Sequence, residues 1–202
     1  MSETEIAAHG HGAVMEESPY AIPSRKLTMW LFLISDAITF GACLFSYGYI
    51  RVSTANWVRP FESGSVINVI AMTVILITSS LTMLGAVDAA KASDKAKTMR
   101  FMYSTMVLGT LFAALHLREW FLLFERGITL SSGLFGQAFF VITGLHLLHV
   151  ISGVIALLVV EMWYSSGRLT PGHVESTGLY WHFVDLVWMF VVPLVYLTNI
   201  AH

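Results

Sequence analysis

The stretch LFGQAFFVITGLHLLHVISGVIALLVV, residues Leu134–Val160, decides the class of this protein. Its 27 residues include no Asp, Glu, Lys or Arg. About 20 mainly apolar residues are enough for a helix to cross the hydrocarbon core of a bilayer, so the stretch predicts a membrane-spanning helix. Its ionisable side chains are those of His146 and His149.

Four other stretches have similar length and character, and they are Leu27–Ile50, Ser65–Val87, Phe101–Phe124 and Thr177–Ile200. A transmembrane barrel would instead show ~10-residue strands of alternating hydrophobicity. We therefore predict an all-α fold, a polytopic transmembrane bundle of five spanning helices. Pro193 is expected to kink the last helix, because proline removes a helical hydrogen bond.

The composition of the whole chain excludes several other classes of protein. Hydrophobic residues make up 56% of the 202 residues and charged residues only 12%, half of the ~25% usual in soluble domains. The formal net charge of −2 leaves no basic face for nucleic acid. The single cysteine, Cys43, excludes an internal disulfide framework and a cysteine-rich metal cluster.

The basic residues predict the orientation of the chain in the membrane. Seven Lys and Arg residues lie on the side of the N-terminus and of the second and fourth loops, and three lie on the other side. The positive-inside rule then places the N-terminus in the cytoplasm and the C-terminus outside. Residues 1–26, which include His9 and His11, are expected to form a flexible cytoplasmic tail. Residues 27–202 form the predicted transmembrane domain.

Two features are expected at the ends of the spans. The segment Asp88–Arg100 has a helix-forming composition and mixed charge, and it is interpreted as a solvated connector between the second and third spans. Tryptophans at the span ends would form an aromatic belt, and they are Trp30, Trp57, Trp120, Trp163 and Trp181.

Asp36 is the only acidic residue of the first predicted span. At ~1.5 Å per helical residue it lies ~14 Å from the cytoplasmic end, and His149 lies ~16 Å from the same side. The two can therefore meet near mid-bilayer, and His146, three residues from His149, is predicted on the same helical face. One interpretation is a hydrogen bond that locks two helices. The other is a protonatable site, and the residues alone leave both open.

The remaining charged residues of interest are expected near the membrane interfaces. Arg118 and Glu119 are adjacent in the motif LREW, where they would pair locally or contact a lipid headgroup or a partner subunit. Glu161 ends the fourth span on the inner side and Arg168 follows in the next loop. A cationic side chain there could hold an anionic lipid head.

Two histidines in other spans, His116 and His182, are candidate ligands of a metal or heme. A bis-histidine heme site needs histidines on two facing helices at matching depth. His116 is predicted near the outer end of its span and His182 near the inner end, so neither matches His146. His182 and Asp185 are interpreted as a polar pair that anchors the last helix near the cytoplasmic interface, or as a partner contact. Since an HExxH motif and cysteine ligands are also missing, we expect no metal site.

Several motifs resemble those of subunit III of the heme-copper oxidases. The run GQAFFVITGLHLLHVISG (Gly136–Gly153) resembles that family's pattern F-F-x-x-T-G-x-H-x-x-H-V-x-x-G. The run YWHFVDLVW (Tyr180–Trp188) is similar to its last helix, and WLFLISD (Trp30–Asp36) to the helix that carries its reactive intramembrane carboxylate. LREW (Leu117–Trp120) matches more loosely, and the resemblance extends from about Trp30 to the C-terminus.

The resemblance implies an accessory, non-catalytic subunit of a bacterial proton-pumping terminal oxidase in the inner membrane. In this family the hemes and coppers belong to subunits I and II. Subunit III packs directly on subunit I within the complex, binds phospholipid and supports complex stability and proton uptake. By motif position Asp36 is the intramembrane carboxylate and His149 its partner on the facing helix. Structural or lipid-facing roles are implied for His146, His182, Asp185 and Glu161.

The chain departs from the family pattern in two respects. The longer family form has seven helices, and the first two, which frame a lipid-filled cleft, are missing here. That cleft must be absent or closed by another polypeptide, such as an extension of subunit I. Asp36 stands where many cytochrome c oxidases have Glu, which resembles the quinol-oxidising branch, whereas Tyr180–Trp188 and the following VVPLVYL look closer to the cytochrome c branch.

The sequence favours a cytochrome c oxidase over two alternatives. One is subunit III of a quinol oxidase, and the other is a stand-alone proton-coupled transporter that uses Asp36 as its carrier group. The chain shows neither the repeat symmetry nor the pair of broken helices found in many transporters.

Overall fold

The computed structural model describes residues 24–200, which form five long helices. These are α1 (Ser24–Ser53), α2 (Ser63–Lys91), α3 (Lys95–Glu125), α4 (Leu134–Ser165) and α5 (Pro171–Val191). All five are long and apolar enough to cross a membrane. The prediction of an all-α bundle with five spanning helices is thus confirmed for the described part of the chain.

The helices are longer than the apolar stretches from which they were predicted. α1 begins at Ser24, so the last three residues of the predicted tail are helical. Residues 1–23, including His9 and His11, lie outside the described residues. Lys26 is fixed by an ion pair, in which its Nζ lies 3.1 Å from Glu175 Oε1 on α5.

The segment Asp88–Arg100 joins α2 to α3 and is mostly exposed, as expected of a solvated connector, and all but three of its residues are helical. α2 continues to Lys91 and α3 begins at Lys95, because the Ala- and Lys-rich sequence continues both helices beyond the apolar stretches. Ser93 in the turn has a φ of 60°, and the Asp94 side chain caps α3 by accepting from the Lys97 N–H at 3.0 Å. α2 and α3 therefore form a tight antiparallel hairpin.

The helix α5 is central and packs against α1, α2 and α4. Its Trp181 is only 1% exposed and donates from Nε1 to Ser79 Oγ at 3.0 Å. The prediction of Trp181 in the aromatic belt is wrong, because α5 begins at Pro171 and carries this residue deep into the bundle. Gly109 and Gly153 leave the space that its indole ring occupies.

The chain changes helical geometry at the predicted kink around Pro193. A wider π-helical turn covers Val192–Tyr196, and a 3₁₀ turn ends at Asn199. The buried Asn199 side chain then ties the end of the chain to other elements. Its Oδ1 accepts from Trp57 Nε1 at 2.7 Å and its Nδ2 donates to the Tyr47 hydroxyl.

Candidate functional site

Asp36 and His149 meet near the middle of the bundle, between α1 and α4. Asp36 is the 13th of the 30 residues of α1, and His149 is the 16th of the 32 residues of α4. Asp36 Oδ2 lies 3.1 Å from His149 Nε2, and the two side chains are 13% and 17% exposed. Oδ2 has no aligned hydrogen-bond donor, so the contact is a close polar pair rather than a straight hydrogen bond.

The other ring nitrogen of His149 shows which nitrogen of the ring carries a proton. Nδ1 lies 2.7 Å from the carbonyl oxygen of Leu145, which can only accept, so Nδ1 carries a proton. In a neutral imidazole Nε2 is then a bare acceptor facing the acceptor oxygens of Asp36. One proton placed between the two atoms, on the carboxyl group or on the ring, would turn this contact into a hydrogen bond.

Aromatic side chains enclose the pair on the side of α5. The ring of Phe40, one turn beyond Asp36, meets the His149 ring edge-on with centroids 5.0 Å apart. Tyr180 of α5 bonds through its hydroxyl to the carbonyl oxygen of His149 at 3.2 Å and to Ser152 Oγ at 2.7 Å. Charges in such surroundings interact more strongly than in water, because little solvent is present to screen them.

His146 does not join this site, and its predicted grouping with His149 is wrong. It is fully buried, and its ring stacks on Trp188 of α5 with centroids 5.1 Å apart. It also meets Phe112 of α3 edge-on at 5.7 Å. Three residues turn an α-helix by about 300°, so the two side chains point about 60° apart around the helix axis. They therefore contact different neighbours.

His116 lies close to His146, which corrects the predicted mismatch in depth. Its ring centroid is 5.5 Å from that of Trp188, on which His146 also packs. The two histidines are ~14 and ~18 Å from the nearby ends of their helices, only about one turn apart. Their ring nitrogens have no hydrogen-bond partner in the described part of the chain. Within those residues, no group of three or more His, Cys, Asp or Glu side chains could hold a metal ion.

Glu119 lies inside the bundle, and its predicted contact with lipid, a partner subunit or Arg118 is wrong. It is 1% exposed and accepts from Asn68 Nδ2 of α2 at 2.8 Å. Arg118 is exposed on α3, since adjacent helical residues point about 100° apart. Asn68 was missed by the sequence analysis, although its amide is the one carboxamide side chain of the span Ser65–Val87.

His182 and Asp185 lie near mid-membrane rather than at the interface, which corrects the predicted depth. Asp185 is the 15th of the 29 residues of the helical stretch Pro171–Asn199. The two do not pair with each other. His182 Nδ1 lies 2.5 Å from Ser80 Oγ of α2, and both Asp185 oxygens are buried without a hydrogen-bond partner. Ser80 is a second residue that the sequence analysis missed.

Glu161 and Arg168 lie toward the end of the bundle where α1 begins. Glu161 is half-buried in the penultimate turn of α4, and Arg168 is exposed in the turn between α4 and α5. The same end carries Glu175, whose Oε1 is within 4 Å of both Lys26 and Lys91. This end is therefore rich in charge, unlike the middle of the bundle.

Comparison with known proteins agrees with the motifs and the fold. The profile of the family described as Cytochrome c oxidase subunit III matches residues 22–199. A cytochrome c oxidase subunit 3 of Corynebacterium diphtheriae is 32% identical over 166 residues, which are 79% of this chain and 81% of the relative. A quinol oxidase subunit 3 of Bacillus subtilis is 30% identical over 201 residues, 98% of each chain.

A third relative is a longer protein. The heme-copper oxidase subunit I+III of Aeropyrum pernix is 31% identical over 194 residues, which are 91% of this chain but 24% of that relative. The five-helix bundle, the motifs around Asp36, His149 and Asp185, and a family match over nearly all described residues lead to one conclusion. The chain belongs to the cytochrome c oxidase subunit III family and is an accessory subunit of a heme-copper oxidase.

Proposed function

We propose that Asp36 and His149 form a proton-binding site through which this subunit supports proton uptake by subunit I. The supporting observation is the 3.1 Å contact between Asp36 Oδ2 and His149 Nε2, in a pair whose other ring nitrogen already donates to Leu145. Subunit III carries no redox cofactor in this family, and the hemes and coppers are expected in subunits I and II. Its contribution to the oxidase is therefore made by side chains such as these.

The pair is suited to accept and release protons. With one shared proton it is neutral overall, and a second proton would convert it into a carboxylic acid beside an imidazolium. Because both side chains retain some exposure whereas Phe40 and Tyr180 cover the side of α5, exchange is expected from the face of α1 and α4.

A structural lock between α1 and α4 is the alternative role of the same contact, and one variant separates the two. Asp36→Asn keeps the shape, and its amide can donate to His149 Nε2, but it removes the exchangeable acid. In the assembled oxidase we expect normal heme content and at least a twofold smaller number of turnovers before inactivation. An unchanged turnover number, with subunit III retained, would leave only the structural lock. Loss of heme from an otherwise assembled complex would also contradict the proposal.

We further propose that the oxidase uses cytochrome c and that this subunit contacts subunit I directly. The motif Tyr180–Trp188 supports the donor, and the I+III name of the Aeropyrum pernix relative supports the partner. Quinol remains the second candidate, because the Bacillus subtilis relative matches over 98% of both chains. Turnover of one purified preparation with reduced cytochrome c and with quinol distinguishes them. Family membership leaves a stand-alone proton-coupled transporter without support.

The proposed location is the bacterial inner membrane, with the N-terminus in the cytoplasm. Lys26, Lys91, Lys95, Lys97 and Arg100 lie at the end of the bundle where α1 begins, and this supports the orientation. In a chain that carries Cys43→Ser, Ser131→Cys in the loop between α3 and α4 should react with an impermeant maleimide in intact cells. Ser166→Cys, in the turn between α4 and α5, should react only after lysis, and the reverse pattern would contradict the orientation.

Phospholipid is the remaining proposed ligand. Arg118 and Arg168 are exposed cations near opposite ends of the bundle, where lipid headgroups lie. A groove of about 330 Å³ between α1 and α4, lined mainly by apolar side chains including Ala42 and Val141, has room for part of an acyl chain. Quantitative lipid analysis of the purified complex, with Arg168→Gln as the test variant, would show less co-purified anionic lipid if this assignment is right.

A further inference from the structure

We propose that the groove between α2 and α5 seats a transmembrane helix of another oxidase subunit, and that Asp185 at its floor binds a hydrogen-bond-donating side chain of that helix. This inference rests on the proposed function only in that the chain works within an assembled oxidase. It concerns a face of the bundle separate from the Asp36–His149 site.

The groove has a polar floor and an apolar rim. Its volume is about 340 Å³, and its polar lining residues are Thr73, Ser80, His182 and Asp185. Exposed apolar side chains line its rim, and they are Ile77, Leu81, Leu186 and Met189, which are 45–65% exposed. This pattern of an apolar rim around buried polar groups is typical of helix–helix contacts in membranes.

Asp185 is the residue at the floor of the groove that lacks a hydrogen-bond donor. It is 8% exposed, and neither of its carboxyl oxygens has a hydrogen-bond partner in the described residues. The nearby Ser80 hydroxyl is engaged with His182 Nδ1 at 2.5 Å. Even if Ser80 turned its single proton toward Asp185, the second carboxyl oxygen would still lack a donor.

The described chain offers Asp185 no cation of its own. Its neighbours in the groove, from α2 and from α5, include one other titratable side chain, that of His182. No Lys or Arg of the described residues approaches within 4 Å, the distance at which the ion pairs of Lys26 and Arg126 are seen. A buried carboxyl group without a donor is unfavourable in hydrocarbon, so a donor from outside the described residues would stabilise it.

The depth of Asp185 identifies the kind of donor. Trp188 bonds to Thr73 and His182 to Ser80, and these two α2 residues lie on either side of the middle of that helix. Asp185 is therefore near the centre of a hydrocarbon layer about 30 Å thick, roughly 15 Å from the phospholipid headgroups. Acyl chains carry no donor, which leaves a polar side chain on a neighbouring helix.

A photo-crosslinking residue at Leu186 tests this inference in the complete oxidase. Leu186 lines the groove and is 54% exposed, whereas Leu148, near the middle of α4 and 65% exposed, lies outside it and is the matched control position. With p-benzoylphenylalanine at Leu186, we expect crosslinking to a transmembrane peptide of a subunit of the heme-bearing complex, one that carries a donor side chain. From Leu148 the yield of that product should be at least about fivefold lower.

A second variant connects the crosslink to the carboxyl group. Asp185→Leu in the Leu186 background should lower the yield of the peptide crosslink at least about fivefold, since the acceptor of the proposed hydrogen bond is removed. Adducts at Leu186 with lipid alone, or with a second copy of this chain, would overturn the inference, and so would a yield that Asp185→Leu does not change. Heme that co-purifies with the tagged chain reports separately on the proposed function, whatever the crosslinks show.

Discussion

Nε2 of His149 lies 3.1 Å from Oδ2 of Asp36, while Nδ1 of the same ring lies 2.7 Å from the carbonyl oxygen of Leu145. The second contact fixes the ring and commits one nitrogen as a donor. The first contact brings the carboxyl group of α1 against the ring of α4. The pair thus links two helices, and its proposed role is to bind a proton in the middle of the membrane.

Removal of one partner of the Asp36–His149 pair should lower the stability of the bundle. His149→Phe keeps the ring but leaves Asp36 half-buried without its partner, and we expect a loss of about 2–3 kcal/mol in unfolding free energy. The double variant Asp36→Leu/His149→Phe should recover most of this loss, because two apolar groups replace both partners. Thermal unfolding of the wild type, the single variant and the double variant measures these differences in stability. Equal stability of the single and the double variant would contradict the expected penalty for leaving Asp36 without its partner.

The bond between Asn68 and Glu119 should be a second internal anchor. Asn68→Leu would leave the 1% exposed Glu119 without its donor at 2.8 Å. We expect the variant to lose about 2–3 kcal/mol, and Asn68→Leu/Glu119→Leu to lose less. Asn56→Leu, in the loop after α1, is the control for loss of an amide side chain. If Asn68→Leu were as stable as this control, Glu119 would have another partner.

The packing of Trp181 predicts which glycines are required. A Cβ at Gly109 would lie 2.5 Å from Cη2 of Trp181, whereas a Cβ at Gly41 meets nothing within 4 Å. Gly109→Ala should therefore destabilise the bundle by about 1–3 kcal/mol through overpacking. Gly41→Ala should be neutral or slightly stabilising in an isolated chain, because Ala favours helices. Equal melting temperatures for the two variants would show that the Trp181 ring moves freely aside.

The buried Asn199 predicts that the C-terminal turn is held by side chains. Asn199→Ala removes the acceptor of Trp57 Nε1 and the donor to the Tyr47 hydroxyl. We expect Trp57 to become more accessible, with a fluorescence red shift relative to a parent in which the other tryptophans are replaced by Phe. Thr78→Ala, an exposed threonine that bonds within its own helix α2, should leave the spectrum unchanged. An unshifted spectrum in Asn199→Ala would contradict the role of this turn.

The sequence predicted the fold well because apolar length alone identifies a spanning helix, as in Leu134–Val160. The juxtaposition of Asp36 and His149 followed from counting residues along two helices. The same counting gave the wrong depth for Asp185, because α5 begins six residues before its apolar stretch. It also gave the wrong depth for His116, because the end of an apolar stretch locates the end of a helix only to within about one turn. Asn68 and Ser80 were missed because neutral polar residues are common in spans, and their partners depend on how the helices face each other.

The central claim is that the Asp36–His149 pair exchanges a proton while the oxidase turns over. Difference infrared spectroscopy of the assembled oxidase, between resting enzyme and enzyme in turnover, measures this directly when histidine is isotope-labelled. The claim predicts a carboxyl or imidazole band that Asp36→Asn abolishes and that Thr39→Val, on the exposed side of the same helix, retains. Identical difference spectra for the wild-type and Asp36→Asn enzymes would contradict it.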